Sequence, residues 1–65
     1  MIHQLALSEP QLNLILELLE GEQKELLVEI RHSRTADFRA GLKERLAIVE
    51  ELLLKVKALQ AAKLA

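Results

Sequence analysis

The chain has 65 residues, 51% of them hydrophobic, with no cysteine, tryptophan or tyrosine and a formal net charge of −1. That length gives one small domain near the lower limit for a self-sufficient core, and the missing thiols rule out disulfides and thiolate–metal clips. The near-neutral balance excludes a bulk electrostatic preference for nucleic acid or anionic membrane, and no apolar run approaches the ~20 residues of a membrane span.

Residues 1–7 carry a weak apolar pattern (Ile2, Leu5, Leu7), which reads as an extended segment laid against the fold or as a flexible lead. They lack the basic region and long apolar stretch of a signal peptide, so the expected location is the cytoplasm. A helix over residues 9–32 is announced by Ser8, an N-cap residue, with Gln11 three positions on as in a capping box. Leu7 and Leu12 hold the positions of a hydrophobic staple. Glu9 suits the positive end of the helix dipole, and Pro10 is tolerated in a first turn where its missing N–H has no acceptor. Gly21 lies mid-helix at a cost of about 1 kcal/mol against alanine, either because another backbone comes close or because the position merely tolerates it.

Within this helix Leu12, Leu16, Leu19, Gln23, Leu26 and Ile30 recur at steps of four and three, which keeps one face turned to a partner helix. After a polar, proline-free break from Arg31 to Asp37, the rhythm resumes at Leu42, Leu46, Val49, Leu53 and Val56. A second helix over residues 36–60 follows, capped by Thr35 or Asp37, with residues 60–65 as a fraying tail. The break is as short as the connections between antiparallel helices. The fold class is therefore all-α, a two-helix antiparallel hairpin.

A turn centred near residues 34–35 sets the seams in register: Ile30 against Phe38, Leu26 against Leu42, Leu19 against Val49, Leu16 against Leu53 and Leu12 against Val56. It also sets Glu29 near Arg39 and Glu25 near Lys43. Gln23 falls opposite Leu46, where a polar residue either fixes register or reaches the edge of the seam. Glu9, Glu17, Glu20, Glu22, Glu25 and Glu29 against Lys24 leave residues 9–29 at −5. Arg31, Arg34, Arg39, Lys43 and Arg45 against Asp37 and Glu44 leave residues 31–45 at +3. The hairpin has an acidic first arm and a basic tip.

The seam does not use all the apolar residues. Ile15 and Leu27 flank it on the first helix, Ile48, Leu52 and Leu59 form a stripe beside it on the second, and Leu14, Leu18 and Val28 point roughly opposite to it. A lone hairpin leaves these as a larger exposed patch than monomers usually carry. Dimerisation into a four-helix bundle, with Ile15, Leu18, Leu27, Ile48, Leu52 and Leu59 as the interface, removes it. The expected partner is a second copy of the chain, in a dimer or a higher oligomer, with a further protein partner left open.

Residues able to carry chemistry are few. Glu29 and His32 have the Glu-x-x-His spacing of di-iron bundle proteins, but Arg31, Arg34 and Arg39 beside them repel a cation, and the second helix puts no glutamate on the seam. Ser8, Ser33 and Thr35 are the only hydroxyls and sit where caps and turns want them. No glycine-rich phosphate loop is present. The chain reads as a non-enzyme with no cofactor and no metal; a metal-bundle oxidase is the remote alternative. The tip residues Arg31, Arg34, Arg39, Lys43 and Arg45 offer a second alternative, a small regulator engaging nucleic acid or an acidic partner. Nearby glutamates and the lack of aromatic residues for stacking on bases disfavour nucleic acid.

The stretch Glu29-Ile30-Arg31-His32-Ser33-Arg34-Thr35-Ala36-Asp37-Phe38-Arg39, continuing to Leu42-Lys43-Glu44-Arg45 and Leu52-Leu53, resembles a group of small bacterial leucine-rich helical-hairpin proteins of unknown function. Their pattern is a leucine-rich helix, a turn of the EI-R/A-H/D-T/S kind, Phe/Tyr-Arg opening the next helix, and LK-x-R within it. The match covers most of residues 8–56, with Ser33 standing where threonine is common. The resemblance implies a helical hairpin and brings no activity or site residues with it.

Overall fold

The computed structural model describes residues 1–64, with side chains placed for residues 1–62. Two helices, α1 (Glu9–His32) and α2 (Ala36–Leu64), pack antiparallel and are joined by residues 33–35. The second helix runs past residue 60, where fraying was expected, as far as Leu64; Ala65 lies outside the described residues.

The start of α1 forms as its sequence dictates. The Gln11 backbone N–H donates to Ser8 Oγ at 3.4 Å, and the Ser8 N–H donates to Gln11 Oε1 at 2.9 Å. This capping box satisfies N–H groups that have no acceptor within the helix. Pro10 lies in the first turn, and Arg31 and His32 in the last turn meet the negative end of the dipole. Gly21 and Gly41 mark no close approach, since a Cβ on either would meet nothing within 4 Å. They are tolerated rather than required.

The turn is held by side chains. At the C-cap, the Ser33 N–H donates to the Ile30 carbonyl at 3.3 Å, and Ser33 Oγ donates to the Thr35 carbonyl at 3.3 Å. The Arg39 guanidinium reaches back from α2 and donates to the Ser33 carbonyl at 2.7 Å. The Thr35 carbonyl accepts the first bond of α2 from the Arg39 N–H at 3.1 Å, which makes Thr35 the N-cap residue by position. Asp37 follows in the first turn.

The core sits along the seam. Leu26, Leu42, Val49 and Leu53 form a buried cluster, with Leu16, Leu19, Ile30 and Leu46 packed against it. Leu12 and Val56 are also buried, towards the open end of the hairpin. Leu26, at 1% exposure, is the most enclosed side chain.

Phe38 departs from the expected seam. It is 59% exposed and does not meet Ile30 as part of the core. The interior of the turn is taken by Ser33, which is buried and tied to Thr35 and Arg39, and Phe38, in the opening turn of α2, is left on the solvent side.

The hairpin is elongated, measuring 44 × 26 × 17 Å with a radius of gyration of 14.1 Å. A compact domain of this length has a radius of gyration of about 11 Å.

Candidate protein-interaction face

Two long helices in one layer leave two broad flanks, one on each side of the plane that holds the seam. A helix advances about 100° per residue, so the seam residues define which flank each neighbour occupies. Cross-helix contacts tie the flanks of α1 and α2 together. On one side Arg45 pairs with Glu22 at 3.3 Å. On the other, Gln23 Nε2 donates to Glu50 Oε2 at 3.1 Å, and Gln60 Nε2 donates to Asn13 Oδ1 at 2.9 Å.

Ile15 and Leu18 of α1, and Ile48, Leu52 and Leu59 of α2, fall on the flank marked by Glu22 and Arg45. The structure therefore brings five of the six expected interface residues to one face. Leu18 is 64% exposed and Ile48 66%, Leu52 and Leu59 are also exposed, and Ile15 is half-buried. Leu27 is placed apart from them, on the flank of Gln23 and Glu50; Leu54 is exposed on the same flank but far along it, towards the open end. Leu14 and Val28 point away from both flanks, on the back of α1.

The apolar face continues at the open end. Leu5, Leu7, Leu12, Leu59 and Ala62 line a cleft of about 290 Å³ between the N-terminal lead and the end of α2. Of the lead, Leu7 is half-buried and residues 1–6 are exposed.

The basic tip is less free than its sequence suggests. Arg39 is committed to the Ser33 carbonyl and Arg45 to Glu22, while Arg31, Arg34 and Lys43 are exposed. The expected approach of Glu29 to Arg39 and of Glu25 to Lys43 is replaced by these contacts. The reason is geometric: Glu25 and Glu29 lie on the Glu22 flank, Arg39 and Lys43 lie on the Glu50 flank, and the seam runs between them. Gln23 is half-buried and uses its amide to hold Glu50 across the seam.

Sequence reasoning did not find the contacts of Ser33 and Arg39. The available signal was a serine directly after the last helical position with an arginine six residues on, the reach of one turn plus one extended side chain. Glu29 and His32 are both exposed in the last turns of α1, and no group of three or more potential metal ligands occurs among the described residues. No helix among the described residues is long and apolar enough to cross a membrane.

Compared with known proteins, the chain matches no family model, no curated protein and no solved structure. The functional reading therefore rests on the geometry of this face.

Proposed function

We propose that this chain is a cytoplasmic, non-catalytic helical hairpin that self-associates into a four-helix bundle and serves as a structural or protein-interaction module. The observation that carries the reading is its surplus surface. The hairpin exposes 5574 Å², whereas a monomer of 7.4 kDa is expected to expose roughly 4,200 Å². The excess, roughly 1,400 Å², includes the exposed residues 1–6 as well as the flanks of the hairpin, and it is more than the ~800 Å² per partner that a standard protein interface covers.

Chemistry supports the same reading. Leu18, Ile48, Leu52 and Leu59 project from one flank, with Ile15 between them and the seam. Covering a Leu or Ile side chain contributes about 1.5–3 kcal/mol, so a second hairpin on this flank supplies stabilisation that a two-helix core lacks. A bundle with a central layer on each side of the interface is the standard way for helices of this length to bury both stripes.

The test is solution mass by light scattering across a dilution series, for the chain and for Ile48→Glu. The expected outcome is a dimer for the chain and a monomer for the variant. A helical monomer at every concentration for the unaltered chain sinks the reading.

A further inference from the structure

The interaction face is not uniform along its length, and this decides how two copies can meet on it. Most of its apolar residues belong to the middle and the open end of the hairpin: Ile15 and Leu18 on α1, with Ile48, Leu52 and Leu59 on α2, while exposed Phe38, seven residues before Arg45, adds one apolar side chain near the tip. Towards the tip the same flank turns charged, with Glu22, Glu25 and Glu29 on α1 and Arg45 on α2. Glu22 and Arg45 already lie 3.3 Å apart within one chain, so acid and base stand side by side at one level of the face.

Two face-to-face arrangements obey two-fold symmetry with the helices aligned. With the axis across the hairpins, the turns lie at opposite ends, and α1 packs on α1 of the second copy. Leu18 then meets the partner's Glu22, Ile15 meets the partner's Glu25, and the glutamates of this flank, Glu22, Glu25 and Glu29, are set against the α1 of the other copy. With the axis parallel to the helices, the turns lie at the same end, and α1 packs on the partner's α2. Leu18 and Ile15 then meet the partner's Ile48 and Leu52, and the Glu22–Arg45 pair of each copy lies level with that of the other, so that acid faces base across the interface as well as within each chain.

From this matching of apolar to apolar and acid to base, we infer that the second copy docks with both turns at the same end of the bundle. The inference rests on the dimer proposed above and adds its polarity. Opposite-sign pairs fix orientation more than they add affinity, and like charges held opposite one another disfavour the alternative. Two flanks that differ from tip to open end thus select one orientation out of two. The arrangement also sets the exposed Arg31 and Arg34 of both copies at one pole of the bundle.

The chain contains no cysteine, so a single introduced thiol can carry a spin label without background. Arg34→Cys labels the tip and Ala61→Cys the open end; both positions are exposed. Dipolar distances are read on each labelled dimer, with light scattering for mass and far-UV circular dichroism for fold. Neighbouring helices pack about 8–10 Å apart, so both label pairs are expected within about 30 Å. Two distances near the 44 Å length of the hairpin overturn the inference while leaving the dimer intact. A long distance at Arg34→Cys with a short one at Ala61→Cys also overturns it, in favour of hairpins overlapping by their open ends. A monomeric mass with no dipolar coupling overturns the dimer and its polarity together. Should a label at one position disturb the helical signal, the other position still separates a same-end dimer from one with full opposed overlap.

Discussion

The two ends of the hairpin are built on different terms. At the tip, Leu26 is almost wholly enclosed, Ser33 is buried with its polar groups engaged, Arg39 secures the turn and Arg45 meets Glu22. Towards the open end, Leu12 and Val56 are buried, but Leu18, Leu52 and Leu59 remain exposed and a cleft separates the lead from α2. The tip engages its polar groups, although Phe38 stays exposed there, and the open end leaves the larger run of apolar side chains uncovered. In a chain this small, the first arrangement supplies the folded shape, and the second supplies a reason to meet another copy.

Breaking the self-sufficient end should have the largest effect. Leu26→Ala removes the most enclosed side chain and is expected to cost about 2–5 kcal/mol, seen as a steep fall in melting temperature or outright loss of the helical circular dichroism signal. On the incomplete end, Ile48→Glu is expected to weaken self-association at least a hundredfold, about 2.7 kcal/mol, while leaving the monomer helical. Leu54→Glu is the matched control: Leu54 is 71% exposed on the opposite flank, so the same chemical change there leaves the mass in solution unaltered.

Smaller changes sharpen the contrast. Ser8→Ala removes one side of the capping box and should cost about 1 kcal/mol, measured by chemical denaturation. Gly21→Ala should act in the other direction by about 1 kcal/mol, because the helix gains propensity and the added methyl meets nothing within 4 Å. For a domain of this size that is a rise of about 4–8 °C in melting temperature. The Lys55–Glu51 pair, at 3.7 Å with both side chains largely exposed, should contribute least, and Lys55→Ala is expected to shift stability by no more than about 0.5 kcal/mol.

The hairpin was legible because its signals are local and periodic. Ser8, Pro10 and Gln11 announce the start of α1, and the spacing of Leu12, Leu16, Leu19, Leu26 and Ile30 needs only the geometry of a helix to be read as one face. Phe38 shows where periodicity fails: it has the correct phase for the seam, but occupancy at the end of a hairpin depends on how the turn closes. Ser33 took that space. The pairing of Glu29 with Arg39 failed for a related reason, since opposing levels along the helices do not ensure a shared flank. Leu27 was grouped with Ile15 because both flank the seam; separating them requires knowing which flank of α1 joins which flank of α2, and the contacts of Glu22 with Arg45 and Gln23 with Glu50 supply that knowledge.

The turn itself has a topological consequence. Residues 33–35 contain neither proline nor glycine, and Ser33 sits in ordinary extended backbone at φ −71° and ψ 135°. No non-glycine residue among those described has a positive φ. Nothing steric therefore forbids Ser33, Arg34 and Thr35 from joining α1 and α2 into one continuous rod. What folds the chain back is the seam and three hydrogen bonds, from the Ser33 N–H, Ser33 Oγ and the Arg39 guanidinium. A straightened chain would offer the same two seams to another straightened chain, exchanging helices without altering a core contact. Ser33 and Arg39 thus hold the folded-back form, in which the seam is closed within one molecule.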